Sequence, residues 1–249
     1  MKTNISFVIA SYNKRKQIEQ VVKSILCRSI PGDQLVVIDD GSTDGTKEYL
    51  DKLNLSIKYD VLFQEDKGYR LATARNNGIK LAINDCIIQL DDDYLLTGNI
   101  IEKARSLYRK DRLIIFQRDE MDEGKNIIRD KRLSPRWQKE KAGKNLLRFT
   151  LTGSPPAIFA GWGMLMYNKE MMQEIGMYDE RMNGKWGGED CLTITKAYYY
   201  GIDVLYYVGE RCVHLEHEKR PNRFMEREDN ERKMKDLLLE SLHKDKFSI

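Results

Sequence analysis

Apolar residues in the first 116 positions form short runs that alternate with stretches of helical spacing. The runs are rich in β-branched residues and bounded by turn formers, which is typical of buried strands. Between them, apolar residues recur at steps of three and four, which indicates helices with one buried face. The predicted strands are Ile5–Ala10, Leu35–Ile38, Ile57–Phe63, Ile87–Leu90 and Leu113–Phe116, and the predicted helices are Ile18–Leu26, Thr46–Leu53, Leu71–Ile83 and Ile100–Tyr108. This alternation predicts an α/β fold with a mostly parallel central sheet flanked by helices.

The pattern changes after residue 116. From Arg118 to Arg148 the apolar periodicity fails and charged residues are dense, which predicts a long surface excursion, either lying over a site or merely solvated. Beyond it, we expect strands at Met164–Tyr167 and Val204–Val208 and helices at Lys169–Ile175, Glu189–Tyr200 and Arg223–His243. The sequence thus divides into residues 1–116 and 117–249, which we interpret as two halves of one domain.

Composition narrows the class of protein. The chain has 249 residues, 41% of them hydrophobic and 33% charged, which fits a folded globular protein. Its net charge of +3 is too balanced to indicate a partner that is a nucleic-acid polymer. No apolar run is long enough to span a membrane, and the first residues do not resemble a signal peptide. Four cysteines without a C-x-x-C pair favour reduced thiols and a cytoplasmic location.

Acidic residues follow the predicted strands where a parallel sheet binds its ligands, at the carboxyl ends. Asp91, Asp92 and Asp93 come directly after the fourth strand. Three adjacent carboxylates repel one another, and their oxygens suit Mg²⁺ or Mn²⁺ when a diphosphate supplies further ligands. The alternative is a solvated acidic turn. Asp40 follows the second strand, where its carboxylate can accept an N–H from a pyrimidine base or can simply cap the strand.

Three further residues of the first half fit a nucleotide site. Tyr12 follows the first strand and either stacks on a base or packs as an ordinary tyrosine. Arg70 and Arg75 lie near the start of a predicted helix, where guanidinium groups suit phosphate. Either arginine can instead be an ion-pair partner.

The second half adds a glycine-rich loop and a histidine pair. In Trp186-Gly187-Gly188, the glycines allow close approach of a ligand and the indole can stack on a sugar ring. Glu189 and Asp190 then either cap the following helix or supply a general base. His214 and His217 are too few for a dedicated zinc site. One of them can complete a carboxylate–diphosphate metal shell, and we favour His214 because it follows a more apolar segment; a surface pair is the alternative.

These motifs together resemble the inverting GT-A glycosyltransferases of glycosyltransferase family 2. In the first half, the resemblance depends on motifs that are weak singly but specific in this order and spacing. They are Val8-Ile9-Ala10-Ser11-Tyr12-Asn13-Lys14, Val37-Ile38-Asp39-Asp40-Gly41-Ser42, Ala74-Arg75-Asn76-Asn77-Gly78 and Asp91-Asp92-Asp93. The second half, from Phe159-Ala160-Gly161-Trp162-Gly163 to His214, is similar to β-1,4-galactosyltransferases, polypeptide N-acetylgalactosaminyltransferases and bacterial chondroitin polymerase.

The resemblance implies a role for each candidate residue. It implies donor binding by Ala10, Tyr12, Asp40, Arg70, Arg75, Asp91 and Asp92; metal binding by Asp91, Asp93 and His214, with Asp93 the favoured direct ligand; acceptor binding by Trp186, Gly187, Gly188 and Glu189; and Asp190 as the general base. The donor is then a UDP-hexose or UDP-N-acetylhexosamine held with Mn²⁺ or Mg²⁺. The acceptor is a glycan, a lipid-linked sugar or a protein, and membrane contact is at most peripheral, at the inner face.

Two other functions fit parts of the pattern. A nucleotidyltransferase needs a glycine-rich basic loop after the first strand, and Ser11 to Arg15 contains no glycine. A non-catalytic nucleotide-sugar or glycan binder can keep the pocket without turnover. The acidic triplet, the base candidate and His214 favour the enzyme.

Overall fold

A computed structural model describes residues 2–129, 138–150, 164–217 and 223–246. The strands are β1 (Ile5–Ser11), β2 (Gln34–Asp39), β3 (Lys58–Phe63), β4 (Cys86–Asp91), β5 (Tyr94–Leu95), β6 (Arg112–Met121), β7 (Ile127–Ile128), β8 (Gln138–Gly143), β9 (Leu146–Thr150), β10 (Met164–Asn168) and β11 (Asp203–His214). The helices are α1 (Arg15–Leu26), α2 (Thr46–Asp51), α3 (Leu71–Leu81), α4 (Ile100–Leu107), α5 (Lys169–Glu174), α6 (Glu189–Tyr199) and α7 (Arg223–Lys246), with a 3-10 helix at Glu180–Met182.

These strands form one sheet in the order β3-β2-β1-β4-β10-β6-β11-β9-β8, with β5 paired to β11 and β7 to β6. The first four strands in this order are parallel throughout. β10 then runs antiparallel between β4 and β6, and β6 pairs with β11 in parallel. The α/β prediction is confirmed. Because β10 pairs with β4, both halves of the sequence share the sheet, and residue 116 lies inside β6 rather than at a boundary.

The central strands are buried on both faces, which explains their continuous apolar sequences. Every residue of β1 is buried. Its side chains alternate between two apolar layers: Phe7 and Ile9 pack in the layer that contains α1, and Val8 packs in the layer that contains α3. Gly78 allows α3 to approach the sheet closely, since a Cβ there would lie 2.3 Å from Cγ1 of Val8. The central sheet is therefore a rigid base for the residues that follow its strands.

The excursion predicted from Arg118 to Arg148 is wrong where the chain is described. β6 continues to Met121, and β8 and β9 form a hairpin whose second strand pairs with β11. Charged residues interrupt the apolar pattern by which these strands could have been predicted. The sheet accommodates them because they form ion pairs, including Arg211 with Asp119 at 2.8 Å. β11 also runs to His214, beyond its predicted end, through an irregularity between Tyr207 and Cys212. The predicted motif Phe159–Gly163 lies outside the described residues.

Two predictions from composition concern the whole chain. In the described ranges no disulfide joins the four cysteines, of which Cys86 and Cys212 are buried and Cys27 is exposed. Among the helices of the described ranges, none has the length and apolar character that a membrane span requires.

Candidate active site

The parallel register of the central strands brings the predicted donor residues to one edge of the sheet. Ala10 is opposite Asp91 on one side and Ile38 on the other, so β1, β2 and β4 end at the same level. Asp92 turns back toward β1, where its Oδ2 accepts hydrogen bonds from Ser11 Oγ at 2.9 Å and from the backbone N–H of Tyr12 at 3.2 Å. This carboxylate therefore fastens the two strand ends together.

Asp93 lies against two imidazoles. The Nε2 of His217 is 3.0 Å from Asp93 Oδ2, and the Nε2 of His214 is 3.6 Å from Oδ1. One ligand atom from each residue lies within 4.8 Å of the others. The short pairing of β5 with β11 produces this arrangement, because it sets His214 beside Tyr94. Sequence reasoning favoured His214 over His217, whereas the structure brings both to the carboxylate.

The chemistry of this cluster fits a divalent cation. Asp93 is buried, and its Oδ1 has no hydrogen-bond partner in the described ranges, since 3.6 Å is too long for one. A buried acceptor without a donor is costly unless a ligand completes it. Although burial opposes the change, contact with both histidines holds the pKa of Asp93 well below its usual range. An ionised carboxylate and two imidazole nitrogens are suitable first ligands for Mn²⁺, and Mg²⁺ prefers oxygen alone.

Glu120 orients His214 and was not identified from the sequence. Its Oε2 lies 2.7 Å from His214 Nδ1, and Arg118 holds the same carboxylate at 3.0 Å. Against the effect of burial, the contacts with Asp93 and Glu120 raise the pKa of His214 to about 9, so a metal ion bound there would displace the proton from Nε2. A carboxylate on Nδ1 fixes the ring so that Nε2 faces the metal position, as outer partners of metal ligands commonly do. The segment from Gln117 to Met121 carries no apolar alternation, so no sequence pattern pointed to Glu120.

Arg75 bridges the two halves of the site. It is almost completely buried, and its terminal nitrogens donate to Glu189 Oε1 and Asp91 Oδ1, each at 2.8 Å. Asp91 therefore faces Arg75 and is not part of the cluster around Asp93. This is the ion-pair alternative for Arg75, and contact of either residue with a diphosphate or metal stays a prediction.

The two predicted acceptor-side carboxylates have different surroundings. Glu189 is 4% exposed, and within the described part of the chain its Oε2 has no hydrogen-bond partner. Burial raises the pKa of Glu189 to about 7 in spite of Arg75. Asp190 is only partly buried, and its Oδ1 accepts the backbone N–H of Cys191 at 2.7 Å. Trp186, partly buried, precedes them through Gly187 and Gly188, whose φ values of 86° and 103° suit glycine.

The predicted base-binding residues lie at the ends of β1 and β2. Tyr12 is 43% exposed, and its hydroxyl donates to Asp66 at 3.0 Å. Both carboxylate oxygens of Asp40 already accept hydrogen bonds: Oδ1 from Gln64 at 2.6 Å and from Arg70 Nη2 at 3.0 Å, and Oδ2 from the Arg70 backbone at 3.1 Å. A base on Tyr12 therefore shares Asp40 with these partners or displaces one of them.

Comparison with known proteins agrees with this geometry. A family profile described as Glycosyl transferase family 2 matches residues 6–176. Chondroitin synthase from Escherichia coli is 27% identical over 219 residues, which is 75% of this chain and 31% of that protein. The chain thus spans about a third of that relative's length.

Two solved structures share the fold. S. aureus TarS 1–349 in complex with UDP-GlcNAc has a TM-score of 0.66 at 18% identity, covering 88% of this chain and 60% of that one. GalNAc-T7 with UDP, GalNAc and Mn²⁺ has a TM-score of 0.61 at 19% identity, covering 88% and 45%. At such identities the likeness concerns the fold alone, which is that of the GT-A glycosyltransferases. With more than half of its residues matched by the family profile, the chain belongs to glycosyl transferase family 2.

Proposed function

We propose that this chain transfers a hexose or N-acetylhexosamine from a UDP-sugar to an acceptor hydroxyl, with a divalent metal ion and with inversion. The observation that carries the proposal is the Asp93–His214–His217 cluster, which lies at the strand ends that also present Tyr12. The complexes of the structural neighbours, TarS with UDP-GlcNAc and GalNAc-T7 with UDP, GalNAc and Mn²⁺, support this choice of donor and ion.

In this proposal the donor lies across the ends of β1, β2 and β4. Tyr12 stacks on uracil through its exposed ring, Asp40 accepts the base N–H, and Ala10 leaves room beside them. Asp92 holds the strand ends and faces ribose or sugar. Asp93, His214 and His217 would hold Mn²⁺, whose charge stabilises the leaving diphosphate. Lys14 adds a further cation, with its Nζ 3.5 Å from Asp93.

Asp190 is the proposed general base. It takes the proton of the acceptor hydroxyl, whose oxygen forms a bond to the anomeric carbon on the face opposite UDP while the bond to the diphosphate breaks. A β-linkage results from an α-linked donor. Asp190 lies in the first turn of α6 and is only partly buried, which leaves its carboxylate accessible to an acceptor hydroxyl. Trp186, Gly187 and Gly188 form the acceptor loop, and Glu189 holds acceptor hydroxyls.

Arg75 sets the distance between the donor side and the acceptor side of the proposed site. It contacts Asp91 on the donor side and Glu189 on the acceptor side. A rigid guanidinium between two carboxylates fixes their separation better than a flexible lysine. We therefore assign Arg75 a positioning role in addition to the predicted phosphate contact. The acceptor, whether a glycan, a lipid-linked sugar or a protein, stays a prediction. A cytoplasmic location with at most peripheral membrane contact also stays a prediction.

The test is release of UDP from UDP-glucose, UDP-galactose and their N-acetylated forms with Mn²⁺, Mg²⁺ or EDTA, with no acceptor added. We expect one UDP-sugar to be hydrolysed slowly with Mn²⁺ and none with EDTA. GDP-mannose serves as the base-specificity control. Tight binding of a UDP-sugar without release, even after a panel of acceptor glycosides is added, favours a non-catalytic binder and contradicts the proposal.

A further inference from the structure

One face of α7 changes from polar to apolar along the helix. Glu226, Asn230, Met234 and Leu238 recur at every fourth position, so they lie on the same side. Met234 and Leu238 are buried with Met182 and with Leu192 of α6. This apolar half holds α7 against α6, and it leaves the polar half of the same face beside the loop that precedes α6.

Asn230 holds the backbone of that loop through hydrogen bonds. It is 2% exposed, and its side-chain nitrogen lies 3.3, 3.0 and 2.5 Å from the carbonyl oxygens of Lys185, Trp186 and Gly187. Glu226 adds a second contact, because its Oε2 accepts the backbone N–H of Trp186 at 2.9 Å. The two N–H groups of this buried amide thus serve three consecutive carbonyl oxygens, at least one of them through a shared hydrogen bond, and buried carbonyls are costly to leave unpaired.

The loop that Asn230 holds leads directly into the two carboxylates of the proposed acceptor site. Gly187 and Gly188 both have positive φ, and a Cβ on Gly188 would lie 2.7 Å from Sδ of Met234. The loop is therefore folded tightly against α7, and Glu189 and Asp190 are the next two residues. A change in the loop carbonyls would rotate the first turn of α6, and both carboxylates with it.

We propose that Asn230 is a positioning residue for the acceptor side of the site. Its amide holds the Lys185–Gly188 loop in the conformation that directs Trp186, Glu189 and Asp190 toward an acceptor sugar. Within the described ranges, none of its side-chain hydrogen bonds is to a donor residue named above. The inference deepens the proposed function and rests on it for the identity of the acceptor site. The hydrogen bonds between Asn230 and the loop do not depend on any ligand.

The first experiment measures the loop without substrate. The chain has three tryptophans, so Trp137→Phe and Trp162→Phe leave Trp186 as the only indole. In this background, Asn230→Asp sets a carboxylate against carbonyl oxygens. We expect acrylamide quenching of Trp186 to rise about twofold because the loop opens more often. Leu238→Ala is the matched control: it removes buried apolar contacts two turns farther along α7, so quenching should rise much less than in Asn230→Asp.

The second experiment separates donor from acceptor steps in the otherwise native chain. With the UDP-sugar that the wild type hydrolyses, and a p-nitrophenyl glycoside that it glycosylates, Asn230→Asp should raise the acceptor KM about tenfold. The donor KM should stay within about twofold of wild type, because the side-chain hydrogen bonds of Asn230 are all to the loop and none is to a donor residue. Asn230→Ser keeps one donor, and an intermediate KM is expected; it also replaces Asn230→Asp if that variant does not fold.

Two results would overturn the inference. One is a folded Asn230 variant with the quenching and acceptor KM of the wild type. The other is an equal rise in donor KM and acceptor KM that Leu238→Ala reproduces, since that pattern reports only a loss of stability. Failure of the proposed function looks different: the wild type then releases UDP from no UDP-sugar, while the quenching experiment still decides whether Asn230 holds the loop.

Discussion

Two buried arginines at opposite edges of the sheet show how differently the chain uses the same ion pair. At the amino ends of the strands, Arg105 of α4 contacts Asp33, and both side chains are buried. At the carboxyl ends, Arg75 of α3 contacts Asp91 and Glu189. We call the first network closed because each of its carboxylate oxygens has a hydrogen-bond donor. We call the second network open because it contains buried polar atoms that have no hydrogen-bond partner in the described ranges.

The closed network satisfies every carboxylate oxygen it contains. Asp33 Oδ1 accepts from Arg105 and from the backbone of Ile5 at 2.9 Å, and Oδ2 accepts from Arg105 and from the backbone of Ile30 at 2.9 Å. Arg105 also donates to the Thr3 carbonyl. One positive and one negative charge cancel here. The group therefore secures the start of β1 and offers nothing to a ligand.

The open network leaves polar atoms and charge uncompensated. The Nε of Arg75, Oε2 of Glu189 and Oδ1 of Asp93 are all buried without a hydrogen-bond partner in the ranges described. Five carboxylates lie here, at Asp91–Asp93, Glu189 and Asp190, and in the described ranges Asp92 and Asp190 have no ion-pair partner. Such an edge is unfavourable by itself and becomes favourable when a cation and hydroxyl groups arrive. The comparison predicts that substitutions at the open edge reduce activity more than stability. Substitutions at the closed edge should reduce stability more than activity.

The largest effect is expected at the open edge, from Asp93→Ala. Loss of the proposed metal ligand should reduce turnover by about 10³-fold or more and abolish metal-dependent UDP binding. The thermal midpoint of the metal-free protein should fall modestly, because Asp93 loses its contacts with Lys14 and with both histidines. Calorimetric titration with Mn²⁺ and UDP measures the binding. Unchanged affinity would show that the metal lies elsewhere.

Asp190→Asn tests the base at the same edge. It keeps the shape of the side chain but cannot accept the proton, so kcat should fall by about 10²–10⁴-fold. Affinity for UDP should stay within about threefold, because the donor contacts remain. Glu189→Gln should instead raise the acceptor KM. If Asp190→Asn retains more than about a tenth of the wild-type kcat, the base is another group and Glu189 is the first candidate.

Arg105→Ala tests the closed edge. Removing one partner of a buried pair leaves Asp33 uncompensated, which should lower the free energy of unfolding by about 3–5 kcal/mol. Urea denaturation measures this loss. Lys110→Ala is the control, since its pair with Asp85 at 3.6 Å is exposed and should hardly matter. A folded Arg105→Ala protein should still bind Mn²⁺ and UDP; loss of that binding would mean that the edges are not separate.

The pH dependence of stability tests the buried Glu189. Burial raises its pKa in the folded state to about 7, above the unfolded value, so the folded state binds more protons between these values. Stability from this group is therefore present at low pH and declines as pH rises toward 7 and beyond. Relative to Glu189→Gln, the wild type should lose about 1–3 kcal/mol of unfolding free energy between pH 5 and pH 8. A relative gain would show that Arg75 outweighs burial.

The smallest effect is expected for Tyr12→Ala, at the exposed end of the open edge. Stacking on a base contributes about 1–3 kcal/mol, so the donor KM should rise roughly tenfold while kcat at saturation changes little. Tyr200→Ala removes another exposed tyrosine as the control. A collapse of kcat with an unchanged donor KM would contradict the assignment of Tyr12 to the base.

The sequence alone determined the central sheet and the kind of chemistry at its edge. Strands such as β1 and β2 are continuous apolar runs because both faces are buried, and helices such as α1 show their buried stripe directly. Parallel strands end at one edge, so residues that follow them, such as Tyr12 and Asp93, were predictable as neighbours. Local patterns suffice here because each one reports burial along a single element.

Only the tertiary structure decided which partners these residues have. Asp91 and Asp93 are two positions apart, yet one contacts Arg75 and the other His217. Those contacts, like Glu120 on His214, depend on which strands lie side by side, and β6 and β11 pair through charged sequences that carry no apolar period. Hydrogen bonds and ion pairs act over a few ångströms between elements distant in the chain, so periodicity within one element cannot encode them.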